Sequence, residues 1–281
     1  MKLTKIISAS AALLMAFSVA GCKLEEDALN MLQVSGNNCT INYTNDGSVA
    51  EYARAFLTTK TAHLSADMAI EIDTKRTTLT DSTHATTTGY IFNVSGNGEK
   101  EPYSFCLVGI RKKGNTPEYF ASYYIGVLSA DCTSDKNDFD TDTNKAYEYD
   151  LSGGWKSIPD GSYTESDGKL KVYIAVTAMN GSTEITDANC HAPEIDTDNA
   201  DALKVTLKAS ESANTGTVIT YNKTNINKGI DTHKTGAKEI DSFPVYKQGK
   251  LGFYAMVKND STLVANWKSS NFVLASEVIE E

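Results

Sequence analysis

The stretch from Thr88 to Val127 limits the possible folds more than any other part of the chain. It reads TGYIFNVSGNGEKEPYSFCLVGIRKKGNTPEYFASYYIGV and holds three runs rich in Tyr, Phe, Val and Ile, at Gly89–Ser95, Tyr103–Arg111 and Glu118–Val127. Such residues fit a pleated, half-buried surface. Asn97-Gly98 and Gly114-Asn115 separate the runs. Gly and Asn accept positive φ at low steric cost, so both sites read as turns of a three-stranded meander. Strands this long need a second layer to cover them. The sequence therefore predicts an all-β chain folded as an antiparallel β-sandwich with long polar loops.

Alternation assigns the faces of these strands. Tyr90, Phe92 and Val94 oppose Ile91, Asn93 and Ser95 on the first; Tyr103, Phe105, Leu107 and Arg111 oppose Ser104, Cys106, Val108 and Ile110 on the second. On the third, Tyr119, Ala121, Tyr123 and Ile125 oppose Phe120, Ser122 and Tyr124. Neither face is purely polar, so the second is expected to be covered by loops or to bind something. Upstream, Ala66, Met68, Ile70 and Ile72 alternate with Asp67, Ala69, Glu71 and Asp73. That pattern predicts a strand with one acidic face, expected to join the meander.

Further strands are expected at Thr40–Thr44, Leu170–Ala178, Leu203–Lys208 and Thr217–Tyr221. Leu251–Lys258 and Thr262–Trp267 are expected to pair across Asn259-Asp260, and Asn271–Val278 to close the domain. Ser48–Phe56 reads as a strand or as a helical turn. Ser129–Gly168, Gly181–Ala202 and Asn222–Lys247 are long and polar, and connections of that length are usually functional or disordered.

At the N-terminus Lys2 and Lys5 precede an apolar run from Ile6 to Val19, followed by Ala20-Gly21 and Cys22. A basic start, a short apolar core and small residues make a secretory signal, too short to span a bilayer comfortably. Val19-Ala20-Gly21-Cys22 resembles the lipobox of bacterial lipoproteins. The resemblance implies that residues 1–21 are a signal peptide, that Cys22 is acylated, and that residues 22–38 are a lipidated tether before a β-sandwich domain at 39–281. It implies a bacterial cell-envelope address, at the outer membrane or cell surface, with several acyl chains such as palmitate holding the protein at the membrane. An ordinary cleaved signal followed by a structural cysteine is the other reading. With the signal removed about 260 residues remain, close to the upper end for one β core. The net charge of −10 at pH 7 argues against nucleic acid as a partner.

Four of the five cysteines remain beyond Cys22: Cys39, Cys106, Cys132 and Cys190. An exported chain can oxidise them, and four thiols allow three pairings. Cys132 and Cys190 both sit in polar loop sequence, which favours a disulfide between them, whereas Cys106 lies inside a strand and reads as a small buried hydrophobe.

Gly249–Leu274, GKLGFYAMVKNDSTLVANWKSSNFVL, resembles the closing strands of concanavalin-A-like sandwiches, and GYIFNV at Gly89–Val94 resembles a "GxxFRV"-type strand of the same superfamily. The acidic-faced strand, GYIFNV, YSFCLVGIR and YFASYY also follow in the order found there. The resemblance implies a concanavalin-A-like jelly roll akin to lectins, laminin-G-like modules and family-16 glycoside hydrolases.

Family-16 hydrolases carry Glu-x-Asp-x-Glu on a strand, because a retaining mechanism needs two carboxyl groups about 5 Å apart and side chains two apart share a face. Here Glu71 and Asp73 are the candidates, but Lys75 stands where the third acid would be; Glu194, Asp196 and Asp198 form a second partial copy. Asp138, Asp140, Asp142 and Asn144 alternate in a way that offers oxygen ligands to calcium. They do not form an EF-hand loop, since Thr143 and Tyr149 occupy its Gly and Glu positions.

His63, His84, His191 and His233 have no zinc-site spacing. The remaining signal is aromatic. Tyr119, Tyr123, Tyr124 and Trp155, with Arg111, Asn93 and Asp67, are candidates for one sugar-binding face, because rings stack on sugar CH groups while carboxylates and amides meet hydroxyls. The sequence thus points to a non-catalytic, lipid-anchored glycan-binding sandwich. A glycoside hydrolase and a module binding a surface protein are the other readings.

Overall fold

The computed structural model describes residues 32–35, 38–46, 52–79, 86–95, 103–126, 147–185, 200–229, 239–243, 245 and 250–274, with backbone alone for 52–66 and several strand ends. Its strands are β1 (Leu32–Ser35), β2 (Asn38–Asn45), β3 (Tyr52–Asp73), β4 (Thr87–Ser95), β5 (Tyr103–Lys113), β6 (Thr116–Gly126), β7 (Tyr147–Asp150), β8 (Lys156–Ser157), β9 (Thr164–Ser166), β10 (Lys169–Asn180), β11 (Thr183–Glu184), β12 (Ala202–Lys208), β13 (Thr217–Asn222), β14 (Lys250–Lys258) and β15 (Ser261–Leu274). A short helix, α1 (Lys223–Lys228), follows β13. All pairings are antiparallel, and they make the expected two-layered sandwich.

The first sheet runs β3–β14–β4–β5–β6, with β7 and β8 sharing the outer edge of β6. The meander β4–β5–β6 is its centre, and the hairpin register Lys113↔Thr116 puts the tight turn at Gly114-Asn115 as expected. The second sheet runs β1–β2–β15–β3–β10–β12–β13. Strand β3 belongs to both. Its first half pairs β14, from Tyr52↔Lys258 to Ala62↔Lys250, and its second half, from Ser65 to Asp73, lies between β10 and β15.

Several expectations are corrected here. The acidic-faced segment does not join the meander; a strand of 22 residues is long enough to twist out of one sheet and continue into the other. The Tyr52–Phe56 part of the ambiguous region is strand. Strands β14 and β15 meet at Asn259-Asp260 but enter opposite sheets instead of pairing. Their apolar sides are why: Leu251, Phe253, Ala255 and Val257 face Leu263, Ala265 and Trp267 across the interlayer, with Phe253 stacked on Trp267 at 5.6 Å. Trp267–Leu274 continues as strand without a break. The polar stretch before Gly168 holds β7, β8 and β9. Helix α1, unexpected from sequence, starts at Asn222, whose side chain accepts from the Asn225 amide at 2.8 Å; its one buried residue, Ile226, is too weak a pattern to read.

Inward-facing residues form one core. In β10, Leu170, Val172, Ile174, Val176 and Ala178 are buried while the residues between them are not, as alternation requires. Facing them are Tyr90, Phe92, Cys106, Val108, Ile110, Ala121 and Tyr123. A bulge breaks the first strand's alternation: Asn93 has φ of 55° and the register shifts between Phe92 and Ser95. One extra residue turns Val94 onto the Ile91 side. There Ile91, Val94, Phe105, Leu107 and Tyr124 form a second buried cluster, with Phe105 stacked on Tyr124 at 4.7 Å. The meander's second face is therefore buried too. Gly89 lets β4 and β5 approach, since a Cβ there would lie 2.1 Å from the Val108 carbonyl oxygen.

Two tyrosines cross the interlayer in opposite directions. Tyr90 of the first sheet brings its hydroxyl to 3.1 Å from the Ala69 carbonyl oxygen and 3.0 Å from that of Lys268, both in the second sheet. Tyr221 of the second sheet donates to the Leu107 carbonyl of the first at 2.7 Å. Burial holds the Tyr221 phenol well above its ordinary value, so it stays a donor. The cysteines described, Cys39 and Cys106, are buried free thiols, and burial pushes Cys39 up to about 12. Tyr221→Phe is expected to cost about 1–3 kcal/mol, because it leaves a buried carbonyl without its cross-sheet donor. Urea unfolding tests this, and an unchanged midpoint would refute the clamp.

Candidate functional site

The aromatic residues singled out above do not gather on one face. Tyr119 and Tyr123 point into the interlayer core, where Tyr123 packs edge-on against Phe243 at 5.4 Å. Tyr124 lies on the opposite face in the second buried cluster. Asn93 is buried at the bulge, and Asp67 belongs to the other sheet. What the structure does bring together is Arg111 and Trp155. The guanidinium carbon of Arg111 lies 4.0 Å from the centre of the Trp155 ring, and Phe120 packs against the same ring at 5.7 Å.

Local chemistry explains this placement. Strand β7 pairs Ser122–Ile125 and β8 pairs Glu118–Tyr119, so residues 151–155 bulge from the sheet edge opposite Phe120 and Ala121. The Asp150 carboxylate holds the bulge closed: it accepts from Ser152 Oγ at 3.0 Å, Gly153 N at 2.8 Å and Gly154 N at 2.5 Å. Gly153 and Gly154 have φ of 65° and 83°, a region L side chains avoid. Leu151 N and Ser152 N both donate to the Ala121 carbonyl. The chain then turns back and lays the indole over Gly109, where even an added Cβ would come within 3.5 Å of Trp155 Cη2. The indole itself stays half-buried.

Arg111 is 2% exposed and pairs with Glu118, which is 14% exposed, through Nη2–Oε2 at 2.6 Å and Nε–Oε2 at 2.7 Å. Burial pulls the guanidinium below its ordinary value and Glu118 acts against that. Arg111 and Glu118 are directly opposed across the hairpin. Counting outward from Gly114-Asn115 would have found Glu118, and Asp-x-Ser-Gly-Gly before Trp155 is an Asx-turn signal that would have found Asp150. Together they form a rigid rim: an aromatic ring on a neutralised cation, with a carboxylate and a hydrogen-bonded loop beside it.

Glu71 and Asp73 share the outer face of the second sheet, as the spacing required. Lys169 reaches both, at 3.8 Å from Glu71 Oε1 and 3.0 Å from Asp73 Oδ2. Asp73 Oδ1 also accepts from the amides of Lys75 and Arg76 at 3.2 Å, so this carboxylate builds the turn after β3. Lys169 holds the Asp73 carboxyl below its ordinary value, the opposite of what a general acid needs. Cys22, Cys132, Cys190, Glu194, Asp196, Asp198 and the calcium candidates Asp138, Asp140, Asp142 and Asn144 lie outside the described residues.

No family model and no curated protein matches the sequence. Among solved structures the chain is similar to a functionally unknown protein from Saccharomyces cerevisiae, at 7% identity and TM-score 0.36, over 93% of this chain and 97% of that one. It is similar to the VIP36 exoplasmic/lumenal domain in its Ca2+/Man3GlcNAc-bound form, at 8% identity and TM-score 0.37, over 89% and 85%. A third similarity is to an engineered GH43 glycoside hydrolase with endo-xylanase and exo-arabinofuranosidase activity, at 10% identity and TM-score 0.33, over 86% of this chain and 36% of that one. The sandwich assignment rests on the pairing and burial described above.

Two outcomes test this geometry. Asp150→Ala removes the acceptor of three hydrogen bonds and is expected to raise acrylamide quenching of Trp155, read in a Trp267→Phe background; unchanged quenching would show that the loop does not depend on Asp150. Because the Asp73 pKa is lowered in the fold, its contribution to stability is present above about pH 4 and lost as pH falls through the depressed value. Asp73→Asn should therefore flatten the acid limb of the pH–stability curve below pH ~4, and an unaltered limb would contradict the Lys169 pairing.

Proposed function

We propose that this chain is a lipid-anchored cell-envelope protein whose β-sandwich binds a glycan at the Trp155 rim without cleaving it. The observation that carries this reading is the half-buried indole held in place by Arg111, Phe120 and the Asp150 loop. A sugar offers CH groups to such a ring and hydroxyls to neighbouring carboxylates and amides. A ring already fixed before binding loses little freedom on contact. Acyl chains on Cys22 would hold the sandwich at the outer membrane or cell surface. Calcium at Asp138, Asp140, Asp142 and Asn144 would act in the connection from β6 to β7, the strand that leads into the Trp155 loop.

The arrangement at Glu71 and Asp73 favours binding over hydrolysis. A retaining glycosidase needs one carboxyl held protonated near neutral pH. Lys169 contacts both of these groups and holds the Asp73 carboxyl below its ordinary value. The test is a glycan-array screen of the detergent-solubilised chain, with and without calcium, following retention and cleavage. Retention without cleavage is expected, weakened about tenfold or more in Trp155→Ala, as for a buried aromatic anchor. Cleavage abolished by Glu71→Gln would instead make the protein a hydrolase, and retention of no glycan would turn the search to a surface-protein partner.

A further inference from the structure

The outer face of the second sheet holds a groove of about 110 Å³, lined by Asp67, Lys171, Tyr173, Lys208, Glu211 and Lys268 around Ala69. Strand register creates it. Lys268 of β15 is opposite Ala69 of β3, Ala69 is opposite Tyr173 of β10, and Tyr173 is opposite Lys208 of β12. These four residues make one row across four strands, spaced about 4.8 Å from strand to strand. Ala69 is the small member, so the row dips there between Lys268 and Tyr173. The floor is fixed from beneath, since the Tyr90 hydroxyl binds the Ala69 and Lys268 carbonyl oxygens.

Three lysines elsewhere on the sandwich are neutralised by carboxylates. Lys112 pairs with Glu165, Lys169 with Glu71 and Asp73, and Lys204 with Glu184. Among the described residues, no carboxylate pairs with Lys171, Lys208 or Lys268. Lys171 Nζ sits 4.9 Å from the centre of the Tyr173 ring, and Lys208 Nζ donates to the Glu211 backbone carbonyl at 2.9 Å. Three lysines thus share this lining with two carboxylates, an excess of one positive charge on a chain whose net charge is −10.

We propose that this groove is a second binding site, separate from the Trp155 rim, and that it takes a carboxylate-bearing sugar residue such as a hexuronate or sialate unit of a glycan. The lining matches such a ligand group by group. The ammonium groups meet the carboxylate through charge-assisted hydrogen bonds. Each of Asp67 and Glu211 has several acceptor positions, enough to receive a sugar hydroxyl beside the bonds it already makes. The Tyr173 ring offers a flat apolar wall. A bare anion would leave the carboxylates facing like charge, and a neutral sugar would leave the ammonium groups unmatched. The proposal shares only the ligand class with the glycan-binding reading above and does not depend on Trp155.

The test is calorimetry on the detergent-solubilised full chain with oligogalacturonate, oligosialic acid and neutral dextran oligomers as probes. Either acidic probe binding, with dextran not competing for it, is the expected result, and which one binds identifies the acid. Lys268→Gln and Lys208→Gln are each expected to weaken that binding about tenfold, the loss of one charge-assisted hydrogen bond. Circular dichroism should be unchanged, because both side chains lie on the surface. Raising salt should weaken binding further, and Trp155→Ala should leave it intact even where it abolishes retention at the rim. Equal binding of dextran by the Trp155→Ala chain, no binding of either acid, or acidic binding indifferent to both lysine variants would overturn the proposal. Loss of acidic binding in Trp155→Ala would overturn the separation of the two sites while leaving the rim reading standing.

Discussion

The sandwich depends on how its two layers are held in register, and Tyr90 and Tyr221 do this from opposite sides. Hydrophobic contact between sheets is strong but non-directional, so apolar faces alone would tolerate sliding. A phenol that ends on a backbone carbonyl of the opposite layer does not. Tyr90 reaches the second sheet where β3 and β15 lie side by side, and Tyr221 reaches β5 in the meander. Their rings also join the interlayer packing, Tyr90 against Phe253 at 5.2 Å and Tyr221 against Phe92 at 5.2 Å. Each therefore contributes apolar burial and a directional bond from one side chain.

Both candidate binding surfaces follow from that frame. With the layers fixed, β6 presents a fixed edge, on which β7 and β8 pair and force residues 151–155 outward. On the other sheet the Tyr90 bond sets the backbone beneath Ala69. One tyrosine thus ties the meander to the floor of a groove in the opposite sheet, which is why a row of four outward residues can hold a defined shape on an otherwise shallow surface. The two surfaces differ in chemistry because of what flanks them. At the rim a single cation is neutralised by Glu118 and covered by an indole, whereas three lysines and two carboxylates share the lining of the groove.

Much of the fold was legible because alternation is a local signal. The β10 pattern and the meander faces follow directly from residue order, and the Gly114-Asn115 turn fixed a hairpin register that holds as far as Tyr103↔Gly126. What could not be read depended on partners distant in sequence. The Ala66–Ile72 alternation gives a face without saying in which sheet it lies, and β3 enters both. Asn259-Asp260 signals a reversal, and the strands on either side still diverge because Phe253 and Trp267 gain more by facing each other across the interlayer. At Asn93 the alternation itself fails, since a bulge shifts Val94 by one position and no composition signal marks it.

The candidate site shows the same limit at the scale of side chains. Tyr119, Tyr123 and Tyr124 look like a sugar-stacking set in one dimension, but consecutive residues on a strand point to opposite faces and all three are needed for packing. Aromatic density along a strand is thus a sign of core more than of function. Trp155 differs because its position comes from a loop closed by Asp150 through two positive-φ glycines, and a ring held outward at that conformational cost contributes little to the interlayer. The same reasoning marks Tyr173, which alternates with buried Val172 and Ile174 and faces away from the core. In a sandwich whose meander is buried on both faces, the aromatic residues available to a ligand are those the core does not use.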